Sequence, residues 1–180
     1  MYHIKRSTSI IFLFFISIFL LLTSCEKKES GNTSSKFAVD PEPVIKKAME
    51  KNKFLILIFE SEDCQYCTRL NKEVLSDMKV KERLIKNGVK IAIIDVNGNR
   101  TVIDPETGKE MDEKTLTYIY RITGYPTIIV FDKNNKYKVL YKIPGYMPKD
   151  KFIGLLDYLG TGCYKKNIDF NKFLNSGNRC

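Results

Sequence analysis

Two cysteines three positions apart, Cys64 and Cys67, enclose Gln65 and Tyr66 where an apolar run gives way to a helical pattern. A Cys-x-x-Cys pair alone fits many roles, and its placement narrows them. At a helix start the first sulfur faces main-chain N–H groups that have no partner within the helix, and the positive end of the helix dipole. Both favour the thiolate, the species that attacks a disulfide. The second sulfur, nearly one turn on, is within reach of the first and can displace a partner held there. Tyr66, between them on an exposed turn, is placed to touch what the sulfur attacks. Structural zinc needs four ligands, and Cys163 and Cys180 are 17 apart and form no second knuckle, so no metal site is expected. Covalent haem needs a histidine after the second cysteine, where Thr68 stands. A purely structural link stays open, although closing three residues removes little chain entropy.

The elements around this pair follow from periodicity. Asp40 and Pro41 open a helix, with Val44, Ile45, Ala48 and Met49 at helical spacing to about Asn52. Lys53 to Phe59 is a nearly continuous apolar run, the pattern of a strand buried on both faces. Glu60 to Asp63 reads as a short polar loop. From Cys64 a helix places Cys67, Leu70, Val74 and Leu75 on one face. Ser76 or Asp77 caps a second segment carrying Val80, Leu84 and Ile85, which ends at Asn87-Gly88. Val89 to Val96 is a second buried strand, and residues 97–111 are a polar excursion. Asp112 caps a helix to about Arg121, with Leu116, Ile119 and Tyr120 facing in. Thr127 to Phe131 is a third strand, turned at Asp132–Asn135 into an antiparallel partner, Tyr137 to Ile143. Pro148 to Leu159 is helical, and residues 164–175 are expected to form one more helix. The order predicts one α/β domain, a mixed central sheet with helices on both faces.

The N-terminus reads as an address. Lys5 and Arg6 precede an almost unbroken apolar run, Ile10 to Leu22, too short to span a bilayer comfortably. Leu22-Thr23-Ser24-Cys25 resembles a bacterial lipobox, which implies cleavage before Cys25 and diacylglyceryl attachment to it; an uncleaved anchor is the alternative. Either route takes the folded part out of the cytosol, where disulfides persist. The expected organisation is a leader at 1–24, a flexible tether at 25–39, a domain at 40–162 and an extension at 163–180. The chain's only histidine, His3, lies in the leader. The mature protein therefore has none for a Ser-His-Asp or Cys-His mechanism or a His-ligated zinc or haem. The leader holds Lys5 and Arg6 and no carboxylate, so its loss lowers the formal charge from +9 to +7. The lysines are scattered without a basic stripe, which argues against nucleic acid, and a modest positive charge suits an anionic membrane surface.

Three features stand in the order and spacing of a thioredoxin fold: Phe59 through Cys67, Gly124-Tyr125-Pro126-Thr127 before a strand, and Gly145 before the last main helix. Over roughly residues 40 to 160 the chain resembles the thioredoxin-like family, most closely its SoxW-like, periplasmic branch. The resemblance implies that Pro126 is cis and packs opposite Cys64, leaving the Tyr125 backbone free to pair with a substrate strand. It also implies recharging by a transmembrane thiol reductant of the DsbD/CcdA type. The pattern departs from thioredoxin in one respect. The buried aspartate six residues before the first cysteine falls here on Ile58; Glu60 is the nearest substitute as proton acceptor in sequence, but strand alternation does not fix it inward, and the sequence favours a solvated loop carboxylate.

The expected activity is thiol–disulfide exchange on exported proteins, with Cys64 as nucleophile and Cys67 as resolving thiol, in a monomer needing no cofactor. Glu60, Glu62 and Asp63 upstream of Cys64 oppose the thiolate, while Arg69 and Lys72 downstream offset them. A less stabilised thiolate makes a less oxidising pair, which favours a reductant. The rival reading is a Cu(I) chaperone or holdase using the same dithiol, since soft thiolates suit Cu(I). Four cysteines besides Cys25 invite a pairing of Cys163 with Cys180; free thiols or exchange with Cys64 and Cys67 are the alternatives.

Overall fold

Residues 37–180 are described by the computed structural model of the chain; the predicted leader, Cys25 and most of the predicted tether lie outside them. In chain order, α1 is Pro41–Glu50, β1 Phe54–Glu60, α2 Gln65–Leu70, followed by a π-turn at Asn71–Leu75, and α3 is Met78–Lys86. Then come β2 (Val89–Asp95), β3 (Thr101–Ile103), β4 (Glu110–Asp112), α4 (Glu113–Ile119), β5 (Thr127–Asp132) and β6 (Lys138–Pro144). α5 (Lys149–Thr161), a 3-10 turn at Cys163–Lys166 and α6 (Phe170–Asn175) complete the fold. Aspartates start four of the helices: Asp40, Asp77, Asp112 and Asp169 each accept a main-chain N–H of the first turn.

The strands lie in the order β2-β1-β5-β6, with β1 parallel to β2 and antiparallel to β5, and β5 antiparallel to β6. β1 and β5 are interior, which is why their sequences are apolar without alternation and every residue is buried. The two faces of β1 serve different layers. Leu55, Leu57 and Phe59 pack with Ile45 and Ala48 of α1 and Leu116 of α4. Ile56 and Ile58 pack on the other face with Leu70 and Val74 after the cysteines, Val80 of α3, and Phe152, Leu155 and Leu156 of α5. Each such side chain larger than alanine contributes about 1.5–3 kcal/mol through burial. Helices therefore cover both faces of a mixed sheet, as expected.

Several details differ from the sequence reading. β1 runs one residue further than expected, so Glu60 belongs to the strand and not to the loop. β2 is an edge strand, and its exposed Lys90 and half-buried alternate residues follow from having one neighbour only. The polar excursion holds a short hairpin, β3 with β4. Ile85 is 83% exposed and Ile119 48%, both at the ends of helices where the apolar stripe has turned away from the sheet. The expected single helix at 164–175 is divided into the 3-10 turn and α6. Tyr158, Cys163 and Phe173 form a small core of their own there, and Cys163 is bonded to Cys180.

Candidate active site

Cys64 is the N-cap of α2. Its extended backbone lets the side chain fold back, and its Sγ accepts the Cys67 N–H at 3.1 Å. One of the first-turn amides that a helix leaves without partners thus points at this sulfur. Cys64 and Cys67 are joined by a disulfide, with Cys64 half-buried and Cys67 wholly buried. The difference follows from the helix: Cys67 shares the inward face with Leu70, whereas Cys64 stands at its mouth. Tyr66 is 61% exposed beside them.

Across the sheet, the Tyr125–Pro126 peptide bond is cis. Phe59 is registered with Thr127, so Pro126, which is buried, falls beside the Glu60 end of β1. The Pro126 carbonyl accepts the Gly145 N–H at 2.7 Å, and Gly145 has φ of +87°, a conformation that residues with a Cβ rarely adopt. Tyr125 is 40% exposed. The loop after Gly145 brings Tyr146 to α2: the Arg69 guanidinium lies 4.5 Å from its ring centroid and donates to Glu73 at 2.9 Å, and the Tyr146 hydroxyl donates to the same carboxylate at 2.8 Å. The Tyr146 hydrogen bond, and after it Arg69, hold the Glu73 carboxyl below its ordinary value. Arg69, expected to offset the upstream carboxylates, therefore shares its charge with Glu73.

Glu60 is fully buried. Its position in β1 has the parity of Ile56 and Ile58, so its side chain emerges on the face that α2 covers. The Asn71 amide donates to both carboxylate oxygens, at 2.8 and 3.0 Å, and to the Cys67 carbonyl at 2.9 Å. The solvated-loop reading of Glu60 that the sequence favours is thereby overturned. Glu62 and Asp63 are exposed in the loop between β1 and α2. Asn71 and Tyr146 are the site residues that sequence reasoning passed over. Asn71 had a readable signal, for it lies four positions after Cys67 on the inward face, where a polar residue needs a partner.

A thioredoxin-like domain model matches residues 41–160. The chain belongs to the thioredoxin-like family. Among solved structures it is similar to a thioredoxin-fold protein from Helicobacter pylori, at 27% identity and a TM-score of 0.57, covering 70% of this chain and 82% of that one. It is also similar to a thioredoxin from Thermus thermophilus, at 25% identity and a TM-score of 0.52, covering 68% and 87%. No curated protein matches the sequence. Family membership with a Cys-x-x-Cys disulfide at the head of α2 supports thiol–disulfide oxidoreductase chemistry at that general level. Among the described residues no helix is long and apolar enough to cross a membrane.

Proposed function

We propose that this protein reduces disulfides of exported proteins through the Cys64/Cys67 dithiol. The observation that carries the reading is the Cys67 N–H directed at the Cys64 sulfur, with the second sulfur bonded to the first and buried behind it. In the reduced protein Cys64 attacks as the thiolate, favoured by the amide and the helix dipole. A mixed disulfide forms and the substrate's first sulfur leaves. Cys67 then attacks Cys64, re-forms the internal disulfide and releases the second substrate thiol. Two electrons pass from the dithiol to the substrate, so no bound cofactor is required. Glu60 is the proton acceptor for Cys67. Tyr66, Tyr125 and Pro126 border the groove that receives an extended peptide, whose main chain pairs at Tyr125.

The cellular setting comes from the sequence. The lipobox-like ending supports cleavage after residue 24 and lipid attachment at Cys25. Residues 25–39 tether a monomeric domain, 40–162 with its extension 163–180, to a bacterial membrane on the periplasmic or outer side. A transmembrane thiol reductant of the DsbD/CcdA type regenerates the dithiol, and the protein stands in the SoxW-like branch of its family. The carboxylates of Glu62 and Asp63 before Cys64, with Arg69 engaged by Glu73, support the reducing direction.

Equilibration with glutathione buffers tests the direction. A reductant has a potential well below the roughly −120 mV of a strong oxidant, and a value near that figure overturns the assignment. A Cys67→Ser variant incubated with exported proteins is expected to accumulate mixed disulfides at Cys64. Failure to trap any, while Cys64 still reacts with small disulfides, removes the exchange reading.

A further inference from the structure

Asn71 stands where the segment after the cysteines changes its winding. α2 ends at Leu70, and from Asn71 the chain continues as a π-turn, closed by the Ser76 N–H on the Asn71 carbonyl at 3.0 Å. Single π-turns inside helical segments concentrate at functional sites. The Asn71 side chain makes an unusual set of bonds. Its amide nitrogen has two hydrogens and three acceptors in range: the Cys67 carbonyl, four residues back, and both oxygens of Glu60. One hydrogen serves the carbonyl and the other is shared across the carboxylate. The Cys67 carbonyl already receives the Asn71 main-chain N–H, so the helix does not need the side chain there. What the amide adds is a fixed link between a buried carboxylate on β1 and the backbone of the second cysteine.

We propose that Asn71 is a positioning residue, holding the Glu60 carboxylate where it accepts the Cys67 proton during resolution. The proposal rests on the dithiol reading above. A neutral amide suits the task better than a cation. It satisfies a buried carboxylate by hydrogen bonding and still leaves it able to take up a proton, whereas a guanidinium or ammonium in the same place favours the ionised form. In the resolving step the Cys67 thiol gives its proton to Glu60, and the Cys67 sulfur attacks the Cys64 sulfur of the mixed disulfide. The Cys64–Cys67 bond forms and the Cys64–substrate bond breaks. The departing substrate thiolate is protonated by the Glu60 carboxylic acid through solvent, which returns Glu60 to its starting state. The dithiol has lost two electrons and the substrate disulfide has gained them.

The test uses the full chain carrying Cys25→Ser, so that the thiol outside the domain is silent, reduced at Cys64 and Cys67. With DTNB (5,5′-dithiobis-2-nitrobenzoate) as probe, attack by Cys64 releases one coloured thiolate and resolution by Cys67 releases the second. Against this background Asn71→Ala is expected to leave the first release unchanged. It should slow the second about tenfold at pH 6 to 7, a part of the roughly 10²–10⁴-fold that a positioned base supplies. The deficit should close as the pH passes the ordinary thiol value of about 8.5, where Cys67 ionises unaided. Asn71→Gln should recover part of the rate. Glu60→Gln keeps an acceptor for the amide but cannot take the proton, and should show the same pH-dependent deficit, an independent check should Asn71→Ala fold poorly. A second release whose pH profile is unmoved by Asn71→Ala, or by Glu60→Gln where only that variant folds, overturns the proposal while leaving the dithiol reading intact. Absence of the first release in the unsubstituted site overturns the dithiol reading, and Asn71's role falls with it.

Discussion

Cys64 and Cys67 close a loop of three residues at the mouth of α2, where the first sulfur accepts a main-chain N–H and is only half-buried. Cys163 and Cys180 close a loop of 17, with Cys163 buried against Tyr158 and Phe173. In the chain-entropy model the longer closure contributes roughly 3 kcal/mol and the shorter about half that. In the proposed function the ordering of reactivity is the reverse. A reactive thiol needs access and a nearby donor, and Cys64 has both; tilted aromatic rings pack with Cys163, with Tyr158 and Phe173 centroids 5.2 Å apart. On that reading the same bond serves two purposes, and its neighbours decide which.

Three variants can break this contrast. The largest effect is expected from Cys64→Ser, which should reduce insulin-disulfide reduction to background while the protein stays folded by circular dichroism. Retained turnover would move the nucleophile elsewhere and erase the distinction. Replacing Cys163 and Cys180 together by Ser should do the opposite: catalysis near the unsubstituted rate, and urea unfolding weaker by about 3 kcal/mol. A loss of catalysis there, in protein shown to be folded, would mean that the second pair takes part in exchange.

The smallest change is expected from Tyr146→Phe beside the first pair. Its hydroxyl is the leading reason that the Glu73 carboxyl lies below its ordinary value of 4.5. A lowered native value means that this group's contribution to stability is complete above 4.5 and drains away as the pH falls through the native value. Without the hydroxyl, carboxyl NMR should show Glu73 titrating closer to 4.5, with a shallower acid-side loss of stability. An unchanged titration would leave Arg69 as its principal partner.

The contrast bears on what can be read from a sequence. β1 and β5 were legible because interior strands need apolar residues on both faces, and the caps Asp40 and Asp112, with Asp77 as one of two candidates beside Ser76, were legible because few side chains can take first-turn amides. The cysteines were visible by type and spacing. The side on which Glu60 lies was not, since a charged residue ending an apolar strand looks like the start of a loop. It becomes clear only when Ile56 and Ile58 are seen against the layer that contains α2. The β3–β4 hairpin escaped notice because three-residue strands offer too few positions for alternation. The π-turn left no periodic mark either, because Leu70 and Val74 remain buried as an α-helical stripe would have them.

The way the chain enters the domain carries a mechanical implication. Arg100 donates to the carbonyls of Phe37 and Val39 at 2.8 and 2.9 Å, and is itself held by Glu113, which is fully buried. Gly98 keeps this possible, since a Cβ there would collide with the Glu113 carboxylate. A pull arriving from upstream must first strip these carbonyls from the guanidinium before it can peel α1 from the sheet. Under the proposed anchoring, load from the lipid end would meet Arg100 before it reached α1, and the sulfur-bearing helix lies beyond both.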